Sequence, residues 1–242
     1  MDMQINSTNS GLAPQGQKKE DRGRIDIHVF AAQRYGSFKA SDISVEVTNS
    51  NGDMTAEKKI TLDLNGLVNN SLAFGVSFRP ISNLWIGYDY YIPSAQKLAW
   101  EYRYQWNDPW HETTEAGGSE VEYMRVRMDG VHDFNARMGV RLIDSERFDI
   151  TAYAKGGLLL SNIELIQGKE TWGRKHNQGA VGVDLFGGEL LGGISLGPKF
   201  KGHRGEVSLY AEGGAFELGG HYEGGRIQFA GAQVNLGLSV QF

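Results

Sequence analysis

The sequence predicts an all-β fold in which eight antiparallel strands close into a barrel that crosses a membrane. Three observations predict it. Apolar residues recur at every second position, the connections between these runs alternate between short and long, and no apolar run reaches the ~18 residues of a membrane helix. Mean hydropathy is −0.38, so the membrane assignment depends on the two-residue period and not on average hydropathy.

The composition excludes several classes of protein. Cysteine is absent, which excludes a disulfide framework, thiolate catalysis and cysteine-ligated zinc. A net charge of −5 argues against a nucleic-acid partner, and a hydrophobic content of 40% argues against wholesale disorder. No metal-ligand or cofactor motif stands out, so we expect neither a metal nor a cofactor.

Residues 1–23 are polar and lack the 7–15 consecutive apolar residues of a secretory signal. A cytosolic protein and a mature chain whose signal has been removed both fit this segment. We interpret it as a flexible N-terminal segment that precedes the barrel over residues 24–242.

Eight runs of alternating residues are expected to be strands, because successive side chains of a strand point to opposite faces. No stretch keeps a helical period. The runs cover residues 25–34, 71–79, 84–92, 133–142, 148–158, 190–200, 207–215 and 230–242.

The connections predict a barrel with two unlike rims. Short turns are expected near 80–83, 144–146 and 201–204, and long loops over about 35–70, 94–130, 161–187 and 217–225. Bacterial outer-membrane barrels have short periplasmic turns and long extracellular loops. The first two long loops themselves contain hairpin patterns, and a ten-stranded barrel is the alternative if those hairpins join the ring.

The polar face of the runs is expected to line the lumen. It is rich in small residues, and its charges nearly balance, with five acids and six bases, as buried charges require. A soluble barrel with an apolar centre is the alternative. Four charged residues six to eight positions above the short-turn rim predict an ionic cluster that plugs the lumen: Asp89, Arg137, Lys155 and Glu212. Aromatic residues beside the short turns predict an interfacial girdle: Phe78, Trp85, Phe148 and Phe200.

The chain ends on an alternating strand with a terminal phenylalanine: Val234, Leu236, Leu238, Val240 and Phe242. This ending, the length and the strand number resemble the small eight-stranded outer-membrane β-barrel proteins, such as the transmembrane domain of outer-membrane protein A and the outer-membrane protein X and W types. The resemblance implies a place in the bacterial outer membrane, contact with its lipid and lipopolysaccharide, and recognition of the last strand by the barrel assembly machinery.

A plugged lumen moves function to the external loops, so the first hypothesis is a structural or surface-interaction protein, including adhesion to an extracellular or protein partner. Loop tryptophans are the expected contact residues: Trp106, Trp110 and Trp172. The alternative is a narrow channel or a conduit for hydrophobic solutes. A lipid-modifying or proteolytic barrel enzyme ranks last, because His132 on the apolar face has no serine two residues away, and we expect no catalytic residue.

A folded barrel should be heat-modifiable. We expect an unboiled, detergent-extracted sample to migrate anomalously on a gel and to move to its normal position after boiling, because a closed barrel resists the detergent until it is heated. Fractionation provides the second measurement. A chain that stays in the aqueous fraction without detergent would contradict the membrane assignment.

Overall fold

The computed structural model describes residues 23–48, 54–93, 100–104, 121–145, 148–171, 174–198, 206–222 and 225–242. Predictions for residues 1–22 and for Phe200, Trp106, Trp110 and Trp172 lie outside these ranges. No helix in the described part of the chain is long and apolar enough to cross a membrane.

Within the described ranges, nine strand segments occupy eight positions in one closed antiparallel ring. The order around the ring is β3-β2-β1-β9-β8-β7-β6-β5, and pairing between β3 and β5 closes it. β4 pairs with β5 beyond the end of β3, so the two short strands share one position. The predicted eight-stranded barrel is confirmed, and the ten-stranded alternative is wrong because the outer hairpins lengthen existing strands. The segments are β1 (Arg24–Thr48), β2 (Met54–Ile81), β3 (Leu84–Pro93), β4 (Trp100–Tyr104), β5 (Val121–Asp144), β6 (Phe148–Thr171), β7 (Arg174–Pro198), β8 (Glu206–Tyr222) and β9 (Gly225–Gln241).

The half of the barrel next to the short turns is apolar outside and charged inside. Leu236 is 60% exposed and Met138 is 66% exposed, whereas Asp89 and Lys155 are fully buried in the lumen. The outward apolar belt on β5 spans residues 134–142, close to the ~9–11 residues that a tilted strand needs to cross the hydrocarbon. This polarity is that of a membrane barrel and excludes the soluble alternative.

Farther from the short turns the polarity of the same strands reverses. On β6, Ile163 and Leu165 are buried inside, while Asn162 and Glu164 face outward. The change requires only that apolar residues move by one position along the strand. A conventional apolar core, which we call the upper core, therefore fills this part of the barrel. Its main members are Phe38, Ala40, Val126, Met128, Ile163, Leu165, Val183, Leu185, Phe216, Leu218, Ile227 and Phe229.

The ranges that we expected to be long loops are largely strand. β1 and β2 continue through most of 35–70, β6 and β7 through most of 161–187, and β8 runs to Tyr222. The hairpin pattern within 35–70 anticipated the first extension. The extension over 161–187 was not expected, because its apolar residues alternate in the opposite phase to those of the membrane-spanning part.

An irregularity in β2 accompanies the change of phase. Gly66 has a φ of +70°, which glycine adopts without steric cost, and the β1–β2 register shifts between Gly36 and Phe38. Leu67 and Leu64 flank this bulge, and both pack against the apolar core. Leu67 keeps the inward odd phase of Asn69, whereas the bulge brings Leu64, at an even position, to the interior.

Outward polar pairs mark the upper edge of the apolar belt. Asn162 donates to Asp184 over 3.0 Å, and Gln228 donates to Glu217 over 2.7 Å. His132 Nδ1 hydrogen-bonds the Tyr88 hydroxyl over 2.6 Å. We call this level the collar, since it lies where the lipid-facing surface changes from apolar to polar on several strands.

The predicted aromatic girdle needs one correction. Phe78 and Phe148 do project outward near the short turns, at 47% and 39% exposure. Trp85 instead faces the lumen, where the Arg79 guanidinium lies 4.3 Å from the centre of the ring. It shares the inward phase of Asp89 on β3, so alternation excludes it from the lipid face.

The last strand projects its terminal apolar residues toward the lipid. Val234, Leu236, Leu238 and Phe242 are all exposed on the outer face. The proposed recognition of this segment by the assembly machinery stays a prediction.

A charge in the belt should be costly only at mid-depth. We expect Leu236→Arg to lower the free energy of unfolding by about 2–4 kcal/mol, and Gln228→Arg at the collar by about 0–1 kcal/mol. Reversible urea unfolding in lipid vesicles measures both. Equal effects of the two substitutions would place the belt elsewhere.

Candidate functional site

Lys155 lies at the centre of the lumen and contacts three carboxylates. Its Nζ atom is 2.6 Å from Asp133 Oδ2, 2.7 Å from Glu189 Oε1 and 2.9 Å from Asp89 Oδ2. These residues come from β3, β5, β6 and β7, so the contacts join four strands across the barrel. The ammonium donates hydrogen bonds to Asp89 Oδ2 and, over 3.4 Å, to the Tyr91 hydroxyl, whereas Asp133 and Glu189 contact it as ion-pair partners. The cation fills the place where the carboxylates converge.

Arg137 extends the ionic contacts toward β8. Its Nη2 atom is 3.5 Å from Asp89 Oδ2 and 3.7 Å from Glu212 Oε1. Glu212 also accepts hydrogen bonds from the Tyr153 hydroxyl over 2.9 Å and from Asn235 Nδ2 over 2.8 Å. The guanidinium therefore connects the acids on opposite walls of the lumen.

Asp89 is the acceptor that both cations share. Its Oδ2 atom also accepts from Asn135 Nδ2 over 3.0 Å, and its Oδ1 atom is hydrogen-bonded to His28 Nε2 over 2.5 Å. The Asp89 carboxylate is thus surrounded by donors from three other strands, β1, β5 and β6. Such multiple pairing is what allows a carboxylate to remain in a site without bulk water.

Arg34 lies between the ionic cluster and the upper core. It is fully buried, its Nε donates to Gln233 Oε1 over 2.6 Å, and its guanidinium stacks 4.1 Å from the centre of the Tyr91 ring. Phe216 of the upper core lies on the same guanidinium at 5.5 Å. A flat cation with weak hydration suits this boundary between charged and apolar surroundings.

The structure links the four predicted cluster residues in one network, in which Lys155 and Arg137 contact Asp89, and Arg137 also contacts Glu212. It also adds members that the sequence analysis did not assign to the cluster: His28, Asp133 and Glu189. The predicted strand over residues 190–200 begins one residue after Glu189, so the prediction did not include this inward acid. The signal was present, since the outward position of Leu190 places its neighbour Glu189 inside.

A small polar cavity of about 60 Å³ separates the ionic cluster from the short-turn rim. At ~10–15 Å³ per water it holds roughly four waters. Arg137 and Tyr153 border it on the cluster side, and Arg79, Arg141 and Asp149 line it elsewhere. The lumen therefore has a polar cavity large enough for water at one end, an ionic cluster in the middle and an apolar core beyond.

Two inward glycines make room for the charged side chains. A Cβ atom on Gly75 would overlap Asp89 Oδ1 and His28 Nε2, and one on Gly157 would overlap Asp133 Oδ1. Neither position has an unusual φ that would itself demand glycine. The cluster depends on both glycines, because the absence of a side chain at each one leaves the volume that a carboxylate occupies.

Adding a methyl group at these positions should disrupt the cluster. We expect Gly157→Ala to displace Asp133 from Lys155 and to lower the free energy of unfolding by about 3–5 kcal/mol, the usual effect of breaking a buried ion pair. Gly156→Ala is the matched control, since a Cβ atom there meets no atom within 4 Å. Urea unfolding in vesicles measures both variants. A Gly157→Ala protein as stable as Gly156→Ala would show that Asp133 is not held in place.

No protein-family profile matches the chain, and no curated protein sequence matches it. Among solved structures, it is similar to the attachment invasion locus protein Ail of Yersinia pestis, with 9% identity over 91% of this chain and 99% of that one and a TM-score of 0.29. It is also similar to neisserial surface protein A, with 14% identity over 91% and 98% and a TM-score of 0.30. A third is the outer membrane protease OmpT from Escherichia coli, with 8% identity over 92% and 98% and a TM-score of 0.35.

The class of this chain follows from its own geometry. A closed antiparallel ring carries an apolar belt of membrane thickness on its outside and paired charges on its inside. The chain is a small eight-stranded transmembrane β-barrel.

Proposed function

We propose that the protein is a closed outer-membrane barrel that anchors an ordered extracellular β-structure for surface interaction, including adhesion. The observation that carries this proposal is that side chains fill the lumen at two successive levels. The ionic cluster closes the membrane-spanning half, and the upper core closes the half beyond the collar.

The ionic level resists the passage of ions. A permeating ion would have to separate Lys155 from three carboxylates, each within 2.9 Å, and removing one partner of a buried pair costs about 3–5 kcal/mol. The upper core adds a second barrier, because Leu159, Ile163 and Phe229 are each no more than 1% exposed. An ion there would lose its water without gaining polar partners.

The extracellular extension supports the interaction role. Within the described chain, pairing between β7 and β8 begins at Phe186 and Gly219, whereas β7 pairs with β6 up to Arg174. The part of β7 from Arg174 to Leu185 therefore pairs with β6 on one side and has no described β8 ladder on the other. A strand edge of this kind can add an extended segment from a partner. The same proposal includes Trp106, Trp110 and Trp172 as contact residues for a partner, and contact between the barrel and lipopolysaccharide.

A narrow channel is the second candidate. The polar cavity favours it, because Arg137 borders this space on the short-turn side of the ionic cluster. The enzyme hypothesis gains less support. The described hydrogen bond of His132 goes to the phenol of Tyr88, and a phenol is not the serine nucleophile of a hydrolase.

Planar bilayers distinguish a closed barrel from a channel. We expect the purified protein to give negligible conductance under conditions in which an open general porin, inserted in the same way, gives clear steps. Gel heat-modifiability before the measurement verifies that the barrel is folded. Reproducible single-channel steps that change in Arg137→Ala or Glu212→Ala would favour the channel instead.

A further inference from the structure

We propose that the lipid-facing side of the collar binds the saccharide headgroup of a membrane glycolipid. The site is a shallow hollow of about 510 Å³, within the range of small-molecule sites. It is separate from the lumen, so the inference does not depend on whether the barrel conducts. Its principal lining residues are Tyr90, Asp129, His132, Leu160, Asn162 and Asp184.

The hollow spans the level at which the outer surface changes from apolar to polar. Tyr90, His132 and Leu160 lie side by side on β3, β5 and β6. Below them, Phe134 and Leu158 form the top of the apolar belt at 52% and 57% exposure. Above them lie the polar side chains of the collar. A lipid whose acyl chains cover the belt would therefore place its headgroup in the hollow.

A bulge and an aromatic group shape the hollow. The β5–β6 register shifts between Met128 and Val131, and a Cβ atom on Gly130 within this bulge would overlap the Tyr90 hydroxyl group. Tyr90 thus lies against the bare backbone of the bulge. The rings of His132 and Tyr90 are 4.9 Å apart, and the hydrogen bond to Tyr88 fixes the His132 imidazole. The walls of the site are held in place before any ligand binds.

The polar groups match hydroxyl groups better than phosphate. Asn162 and the Tyr90 hydroxyl can donate, while Asp129 and Asp184 accept, and a sugar hydroxyl needs both kinds of partner. Arg127 is 3.9 Å from Asp129 and 3.5 Å from Glu164, so its charge is already shared between two acids. Asp184 is hydrogen-bonded to the neutral amide of Asn162, so repulsion from its carboxylate disfavours a bare phosphate. The aromatic rings offer flat apolar surfaces to the carbon face of a sugar.

Native mass spectrometry after release from nanodiscs tests the proposal. The nanodiscs contain phosphatidylcholine, phosphatidylethanolamine, phosphatidylglycerol and a diglucosyl diacylglycerol. We expect the wild-type protein to retain one glycolipid, and the double variant Asn162→Ala/Asp184→Ala to retain about tenfold less, as the loss of one or two hydrogen bonds implies.

The matched control is Glu217→Ala/Gln228→Ala, which removes the equivalent outward pair on β8 and β9. We expect this control to retain the glycolipid as the wild type does. Leu160→Trp, which fills the hollow from its apolar side, should abolish retention and provides a second test if the double variant fails to fold. Heat-modifiability verifies the fold of each variant.

Three results would overturn the inference. Equal loss in the test and control variants would mean that lipid binds around the whole collar. Preferential retention of phosphatidylethanolamine would assign the hollow to an amine, and of phosphatidylglycerol to a phosphate. Undiminished glycolipid retention in Leu160→Trp would place the sugar outside the hollow.

Discussion

The burial of Lys155 among three carboxylates is the constraint on which the membrane-spanning half depends. A charge inside a narrow barrel must be paired, and here each strand that borders the lumen supplies either a charge, a hydrogen-bonding group or the space for one. The contacts are mutual, because Asp89 serves both Lys155 and Arg137. The ionic cluster therefore fixes the relative positions of strands that are far apart in the sequence.

The two halves of the barrel have different surroundings, lipid and water, but are built from the same strands. In the membrane, apolar side chains face lipid and polar ones face inward, whereas beyond the collar the apolar side chains face inward. Arg34 stands at the junction, with Gln233 on one side and Phe216 on the other. Strands such as β1, β6 and β9 run through both halves, so the two halves share the same segments of chain and no linker separates them in these strands.

Alternation in the sequence was sufficient to predict the number of strands and the inside-out polarity, and it assigned Asp89, Arg137, Lys155 and Glu212 to the inward face. It was insufficient where the phase changes. Ile227 and Phe229 are apolar at odd positions of β9, while Val234 and Leu236 are apolar at even positions, so a single phase predicts a loop where the strand continues. Alternation with Leu190 places Glu189 inside, but its contact with Lys155 and the outward hollow depend on which strands become neighbours, and register is a property of the whole ring. Trp85 was predicted in the interfacial girdle because it lies beside a short turn. Its position in the alternation of β3 instead places it on the inward face.

The upper core has a consequence for how this protein can change over time. The β1–β2 ladder continues past the upper core to Thr48 and Met54, and the β6–β7 ladder continues to Thr171 and Arg174. Exposed tips of long hairpins are the positions where substitutions and insertions are best tolerated. Changes beyond these strand ends can therefore accumulate while the packed interior and the anchorage in the bilayer stay constant.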